Sequence, residues 1–271
     1  MKHSSLSTST TPTFLHANLT LVVWASGPAR SLSAATIRVV LTASASTSQM
    51  PSSMNLEYQQ TGSYVFRLYR AAFGNNQPSP NPDGSNQTES KKLPSFAVFA
   101  FDRAQVVGGT SLAAGQQALA NAFAQRAEFL AKYPASQDGP TFVDAVLNNI
   151  LNDTAVDLRS QRTALINLFN SGGRGAVLYR LADDNAQTNP IDNRAFVDEE
   201  YNRAFVATQY FGYLRRDADI GGFLFWLGQV NSGPLRDVPK QHAMVCSFVT
   251  SAEYQLRFSS VVTHNNTECS Q

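Results

Sequence analysis

The sequence predicts an all-α fold, with divergent helical repeats packed as a bundle behind a disordered or weakly structured N-terminal leader. Two observations carry this. The same apolar spacing opens three segments: Tyr64-Val65 with Tyr69 and Phe73, Phe142-Val143 with Leu147 and Leu151, and Phe205-Val206 with Tyr210 and Leu214. Residues four apart share a helix face, so each opening reads as a helix with one buried side. The closings also echo one another, since Ala127-Glu128-Phe129 resembles Ala252-Glu253-Tyr254, and so does Leu56-Glu57-Tyr58. Such recurrence is the mark of internal repetition. The openings are unevenly separated, which implies divergent units with insertions.

Residues 1–53 form a low-complexity leader rich in Ser, Thr and Ala. Residues 14–25 contain Leu19-Thr20-Leu21-Val22-Val23-Trp24-Ala25, a suitable core for a signal segment, with small residues following at Ser33-Ala34-Ala35. His16 and Asn18 interrupt that core, and it is too short to span a membrane. A signal peptide, a disordered leader and a mis-called start all remain open.

Unit 1 spans residues 54–134. Its opening helix leads into a long exposed loop, 75–95, marked by four prolines and the turn Asp83-Gly84. Phe96, Phe99 and Phe101 then return the chain to the core. Gly108-Gly109 breaks it, and residues 112–133 read as one long helix with Leu119, Phe123, Ala127 and Leu130 inward. Residues 133–140 are a linker.

Unit 2 spans residues 141–188. Thr141 is the expected N-cap of its first helix. Leu158, Arg162, Leu165 and Phe169 mark a second helix, stopped by Ser171-Gly172-Gly173. Val177, Leu178 and Leu181 mark a third.

Unit 3 spans residues 193–258, and residues 259–271 are a polar tail. Its long first helix runs from Asn193 to Leu214. Asp219 stands where its carboxylate can accept from the free N–H groups of the next helix. Gly221 and Gly222 are expected to supply a sharp reversal with positive φ. Phe223, Phe225, Trp226, Leu227 and Val230 make the following helix so apolar that it should be central. Asn231-Ser232-Gly233-Pro234 ends it. Val245, Phe248 and Val249 form the inward stripe of a last helix, which Ser251, Tyr254 and Phe258 continue or follow.

Unit 3 resembles the bacterial family called domain of unknown function 4214, a helical module similar to phycobilisome linker domains. The likeness rests on the opening Phe205-Val206 with Tyr210, the turn Arg216-x-x-Asp219-x-x-Gly222, the pair Phe225-Trp226, and the closing Ser251-x-Glu253-Tyr254. The resemblance implies a module without assigned function, in secreted or surface proteins, beside other non-catalytic modules.

Composition narrows the function classes. In 271 residues the net charge is +1, too little to draw nucleic acid or anionic lipid by its field. The 43% hydrophobic residues suffice for a core, and the charged fraction is only 15%, which leans towards an extracellular or assembly-bound protein. Cys246 and Cys269 are either a bridge across the C-terminal tail, stabilising by roughly 3 kcal/mol, or two free thiols. The extracellular context implied by the resemblance favours the bridge.

No catalytic constellation is apparent. Gly172-Gly173-Arg174-Gly175 lacks phosphate-loop spacing. Of His3, His16, His242 and His264, only His242 lies near a helix, where a surface or capping role is expected. No zinc motif, nucleophile elbow or Cys–His pair is evident from the spacing. Asp217-Ala218-Asp219-Ile220-Gly221 resembles a calcium loop but lacks an oxygen at Gly221 and a bidentate Glu at Gly228. Asp183-Asp184 and Asp198-Glu199-Glu200 read as solvated helix ends. Arg67, Arg70, Arg215 and Arg216 read as stems packed on aromatic residues with heads in water.

The expected function is therefore that of a non-enzymatic interaction or assembly module of a secreted or cell-surface protein, without cofactor, metal or transmembrane segment. Its partner is another protein or a surface polymer, not nucleic acid, with Trp226 and Tyr213 as candidate contacts. The alternatives are an accessory carbohydrate-binding module of an extracellular enzyme and, for location, the cytoplasm.

Overall fold

A computed structural model describes residues 59–78, 92–258 and 269. The chain divides into Met1–Ser53 and Met54–Gln271. The first of these lies wholly outside the described residues, as do the leader readings attached to it, most of the 75–95 loop and most of the tail. The described residues are all-α and contain no strand. Ten α-helices follow one another: α1 (Tyr64–Phe73), α2 (Phe96–Val107), α3 (Leu112–Phe123), α4 (Ala127–Lys132), α5 (Gly139–Thr154), α6 (Arg162–Ala182), α7 (Arg194–Gln209), α8 (Ile220–Asn231), α9 (Val238–Val249) and α10 (Ala252–Phe258). A π-turn, Gln59–Ser63, leads into α1, and a second, Tyr210–Leu214, prolongs α7.

Helix α1 lies at the centre, with every residue buried. It packs against α2, α5, α6 and α7. Its sequence YVFRLYRAAF offers no polar face apart from two arginines, as expected of a helix enclosed on all sides. The apolar positions of the other two openings are also turned inward: Phe142, Val143 and Leu147 on α5, and Phe205, Val206, Tyr210 and Leu214 on α7 and its π-turn. Leu151 is half-buried. Tyr69, Phe73, Phe123, Phe129, Tyr133 and Phe142 form a chain of aromatic contacts joining α1, α3, α4 and α5, with neighbouring rings such as Tyr69 and Phe123 4.9 Å apart and edge-on.

Several expectations change. The long helix over 112–133 is two helices, α3 and α4. Its backbone turns at residues 124–126, which leaves Ala127 exposed and brings Phe129 into the core. Asp138, not Thr141, caps α5, accepting from the Thr141 N–H at 2.8 Å with Pro140 in the first turn. The stop expected at Ser171-Gly172-Gly173 does fall there: Gly173, at φ 68°, ψ −162°, is not helical, so α6 is two helical stretches joined across a kink. This bend lets α6 lie against α1, α3 and α5. Gln77 and Leu93, at the flanks of the expected exposed loop, are both buried. Phe96 and Phe99 pack on Phe211, whereas Phe101 is 67% exposed.

The arginines of α1 do not reach water. Arg67 is fully buried, donates from Nε to the Ala182 carbonyl at 2.8 Å and lies 3.5 Å from the Asp184 carboxylate. Arg70 donates from Nε to Glu200 at 2.8 Å and from Nη1 to the carbonyls of Gly74 and Lys92 and to Asn75 Oδ1. Glu200 is accordingly buried, and so is Asp183, which pairs with Arg180 at 2.8 Å; neither is a solvated helix end. A second buried set joins Asp102, the Tyr69 hydroxyl at 2.8 Å and both Nη atoms of Arg126. Burial, followed by the Asp102 charge, pushes the Tyr69 phenol far above its ordinary range.

Candidate functional site

The segment from α7 to α10 holds the residues singled out from sequence. Helix α7 starts where Asn189 and Asn193 donate to the last carbonyls of α6, including those of Arg180 and Asp183. At the end of its π-turn, Arg215 adopts φ 51°. The reversal therefore falls on Arg215, while Gly221 and Gly222 are ordinary helical residues of α8. The requirement at Gly222 is space. A Cβ there would lie 2.3 Å from the Tyr210 hydroxyl and 2.7 Å from Asp219 Oδ1.

Arg216 is the hub of the turn. It meets Glu253 on α10 through two hydrogen bonds, 2.7 Å from Nε to Oε1 and 3.0 Å from Nη2 to Oε2. Its Nη1 also donates to the Asp217 carbonyl at 2.8 Å and approaches Asp219 Oδ2 at 3.3 Å. The guanidinium lies over the Tyr210 ring, 5.4 Å from its centre. The hydrogen bonds from Arg216 hold the Glu253 carboxyl below its usual range, outweighing desolvation, and the pairing raises the Arg216 guanidinium. Burial raises the phenols of Tyr210 and Tyr213.

Both aspartates of the turn carry structural duties. Asp219 caps α8, accepting from the Gly222 N–H at 2.8 Å. Asp217 accepts from the Phe96 N–H at 2.7 Å and so caps α2 on the far side of the junction. Ser251 accepts from the Tyr254 N–H at 3.2 Å, opening α10, and Tyr254 meets Tyr213 edge-on at 5.9 Å. Tyr210, Arg216, Asp219, Gly222 and Glu253 thus converge in one clasp. Phe205 and Val206 lie apart from it in the core.

Helix α8 is not central. Phe223 and Val230 are buried, and Trp226 is half-buried against Phe248, but Phe225 is 57% exposed and Leu224 is also exposed. Leu235 and Val238 add exposed apolar surface after the helix. On α9, Met244 and Phe248 are the buried apolar positions, while Val245 and Val249 are half-buried. Cys246 is bonded to Cys269, with their Cα atoms 5.3 Å apart.

Residues 188–258 match the family model described as "Domain of unknown function (DUF4214)". This segment is a DUF4214 domain. No curated protein and no solved structure matches the chain. The DUF4214 domain therefore comprises α7 to α10 and the connection that caps α6, and its charged turn closes the first of these helices onto the last. Arg216, Asp219 and Glu253 are occupied with one another and with backbone, so the clasp presents no base poised beside a nucleophile. Among the described residues, no group of three or more His, Cys, Asp or Glu could hold a metal ion.

Three features escaped the sequence reading, the first being the pairing of His242 with Cys246, which one turn of α9 brings to 3.6 Å from Nε2 to Sγ. Asp217 as the cap of α2 has no local signal, because its acceptor role spans 121 residues. Burial of Arg70 did have one: an opening helix without any other polar side chain leaves its arginines nowhere to go but inward.

Proposed function

We propose that the protein is a non-enzymatic interaction or assembly module whose contact surface is the exposed face of α8 and the loop after it. The observation that carries this reading is Leu224, Phe225, Leu235 and Val238 standing exposed within or beside residues 220–235, which contain no charged side chain. Exposed apolar surface grouped in this way marks an interaction site. The partner it suits is an apolar protein surface, whether another domain or another subunit. A carbohydrate platform is less well served, because Phe225 and Trp226 are set edge to face at 76° and form no flat shelf. We place the module in a secreted or cell-surface protein, a reading supported by the disulfide. Among the described residues, no helix is long and apolar enough to cross a membrane.

The test is crosslinking and affinity capture from the native host, with wild type beside Phe225→Asp. A partner or self-assembly held by wild type and lost from the folded variant is the expected outcome. Wild type that stays monomeric and captures nothing reproducible overturns the reading, as does a partner held equally by Phe225→Asp.

A further inference from the structure

The C-terminal helix α10 is weakly anchored. It has no buried residue. Glu253 pairs with Arg216, but both side chains are more than a third exposed, where ion pairs contribute little. Tyr254 touches Tyr213 by its edge, and Gln255 Nε2 donates to the Val249 carbonyl at 2.6 Å. Tyr254 also packs, half-buried, against the core, and among the described residues the remaining restraint on α10 is covalent. The disulfide from Cys246 on α9 to Cys269 closes a loop of sequence separation 23 that contains all of α10. One helical turn before Cys246 stands His242, exposed, with Nε2 3.6 Å and Nδ1 4.0 Å from the Cys246 sulfur.

We propose that the Cys246–Cys269 disulfide is a redox latch on α10, and that His242 primes it for opening by dithiols. The thiolate of a small dithiol attacks Cys269 Sγ. The bond between the two cysteines breaks, and Cys246 leaves as a thiolate that accepts a hydrogen bond from the His242 imidazole N–H. A better stabilised leaving thiolate departs faster. The second thiol of the reductant then displaces Cys269 from the mixed disulfide and closes the reductant into a cyclic disulfide. Two electrons and two protons pass from the dithiol to the protein, leaving two cysteine thiols. With the covalent loop open, α10 is held by its half-exposed contacts alone, and Glu253 parts from Arg216. Local opening of this kind belongs to segments with few buried contacts. The latch is independent of the α8 face.

The experiment is hydrogen–deuterium exchange on the full chain, oxidised and after reduction with dithiothreitol, at one pH and temperature. The amides of Ala252–Phe258 should exchange roughly tenfold faster or more in the reduced protein, with α1 and α5 unchanged. A Cys246→Ser/Cys269→Ser double variant should reproduce the reduced pattern without reductant. Equal exchange of α10 in both redox states overturns the latch, as does loss of protection spreading to α1 and α5. His242→Gln should slow reduction by dithiothreitol roughly threefold or more, followed by mass spectrometry of alkylated thiols. An unchanged rate removes the role given to His242.

Discussion

Arg70 and Glu200, 130 residues apart in the sequence, meet at 2.8 Å with each side chain only 1% exposed. The pair joins the central helix α1 to α7 and so ties the DUF4214 domain to the helices that precede it. Removing one partner leaves the other charged and buried. Glu200→Ala should therefore destabilise by about 3–5 kcal/mol, read from guanidinium denaturation. The double change Arg70→Met with Glu200→Leu should cost much less than either charge removed alone. If Glu200→Ala costs under about 1 kcal/mol, the pair is not uncompensated on truncation in the way argued.

Gly222 and Gly221 are neighbours with opposite expectations. Gly222→Ala places a methyl group against the Tyr210 hydroxyl, and the Tyr210 ring is fixed edge-on to Phe248 at 4.9 Å. The substitution should cost about 1–3 kcal/mol. An added Cβ at Gly221 meets nothing within 4 Å, so Gly221→Ala should be neutral or stabilise by about 0.5 kcal/mol. Thermal denaturation of the two variants, each compared with wild type, decides the point.

The clasp should titrate. The Glu253 carboxyl is held below its ordinary value of 4.5, chiefly by hydrogen bonds from Arg216. Its contribution to stability is thus fully present above that value and is lost as pH falls through the lower folded value. The side chain is more than a third exposed, so the contribution is below about 1 kcal/mol. The stability difference between wild type and Glu253→Gln should be measurable at pH 7 and fade as pH falls through the lowered folded value. A difference that persists undiminished in acid would show that the contact acts through shape rather than charge.

Asp219→Ala should cost about 1 kcal/mol through loss of the N-cap of α8. Phe225→Asp, on the same helix but at the surface, should change stability by no more than about 0.5 kcal/mol. Urea denaturation of both variants checks the contrast. It also establishes whether any loss of partner binding by Phe225→Asp reflects the surface rather than the fold.

What could be read from the sequence was what is local. The openings at Tyr64, Phe142 and Phe205 announced their buried faces because apolar spacing along one helix is a short-range signal. The cap at Asp219 was legible for the same reason, with an oxygen-bearing side chain immediately before an apolar run. The clasp was legible only in part: its residues could be named by resemblance, but not the meeting of Arg216 with Glu253 across 37 residues. Glu200 looked like one of three solvated acids because its partner lies on α1. Phe225 looked like core because a helix apolar on all sides carries no sign of which side is left uncovered.

The kink at Gly173 has a consequence of a different kind. An added Cβ there meets nothing within 4 Å, so crowding does not select the residue. The backbone torsions, φ 68° and ψ −162°, do so, since they lie in a region closed to L-residues and are the mirror image of ordinary extended backbone. The bend that lets α6 reach three neighbours thus depends on the achirality of a single α-carbon. A D-alanine introduced at position 173 by chemical synthesis would meet the torsional demand that its L-enantiomer fails.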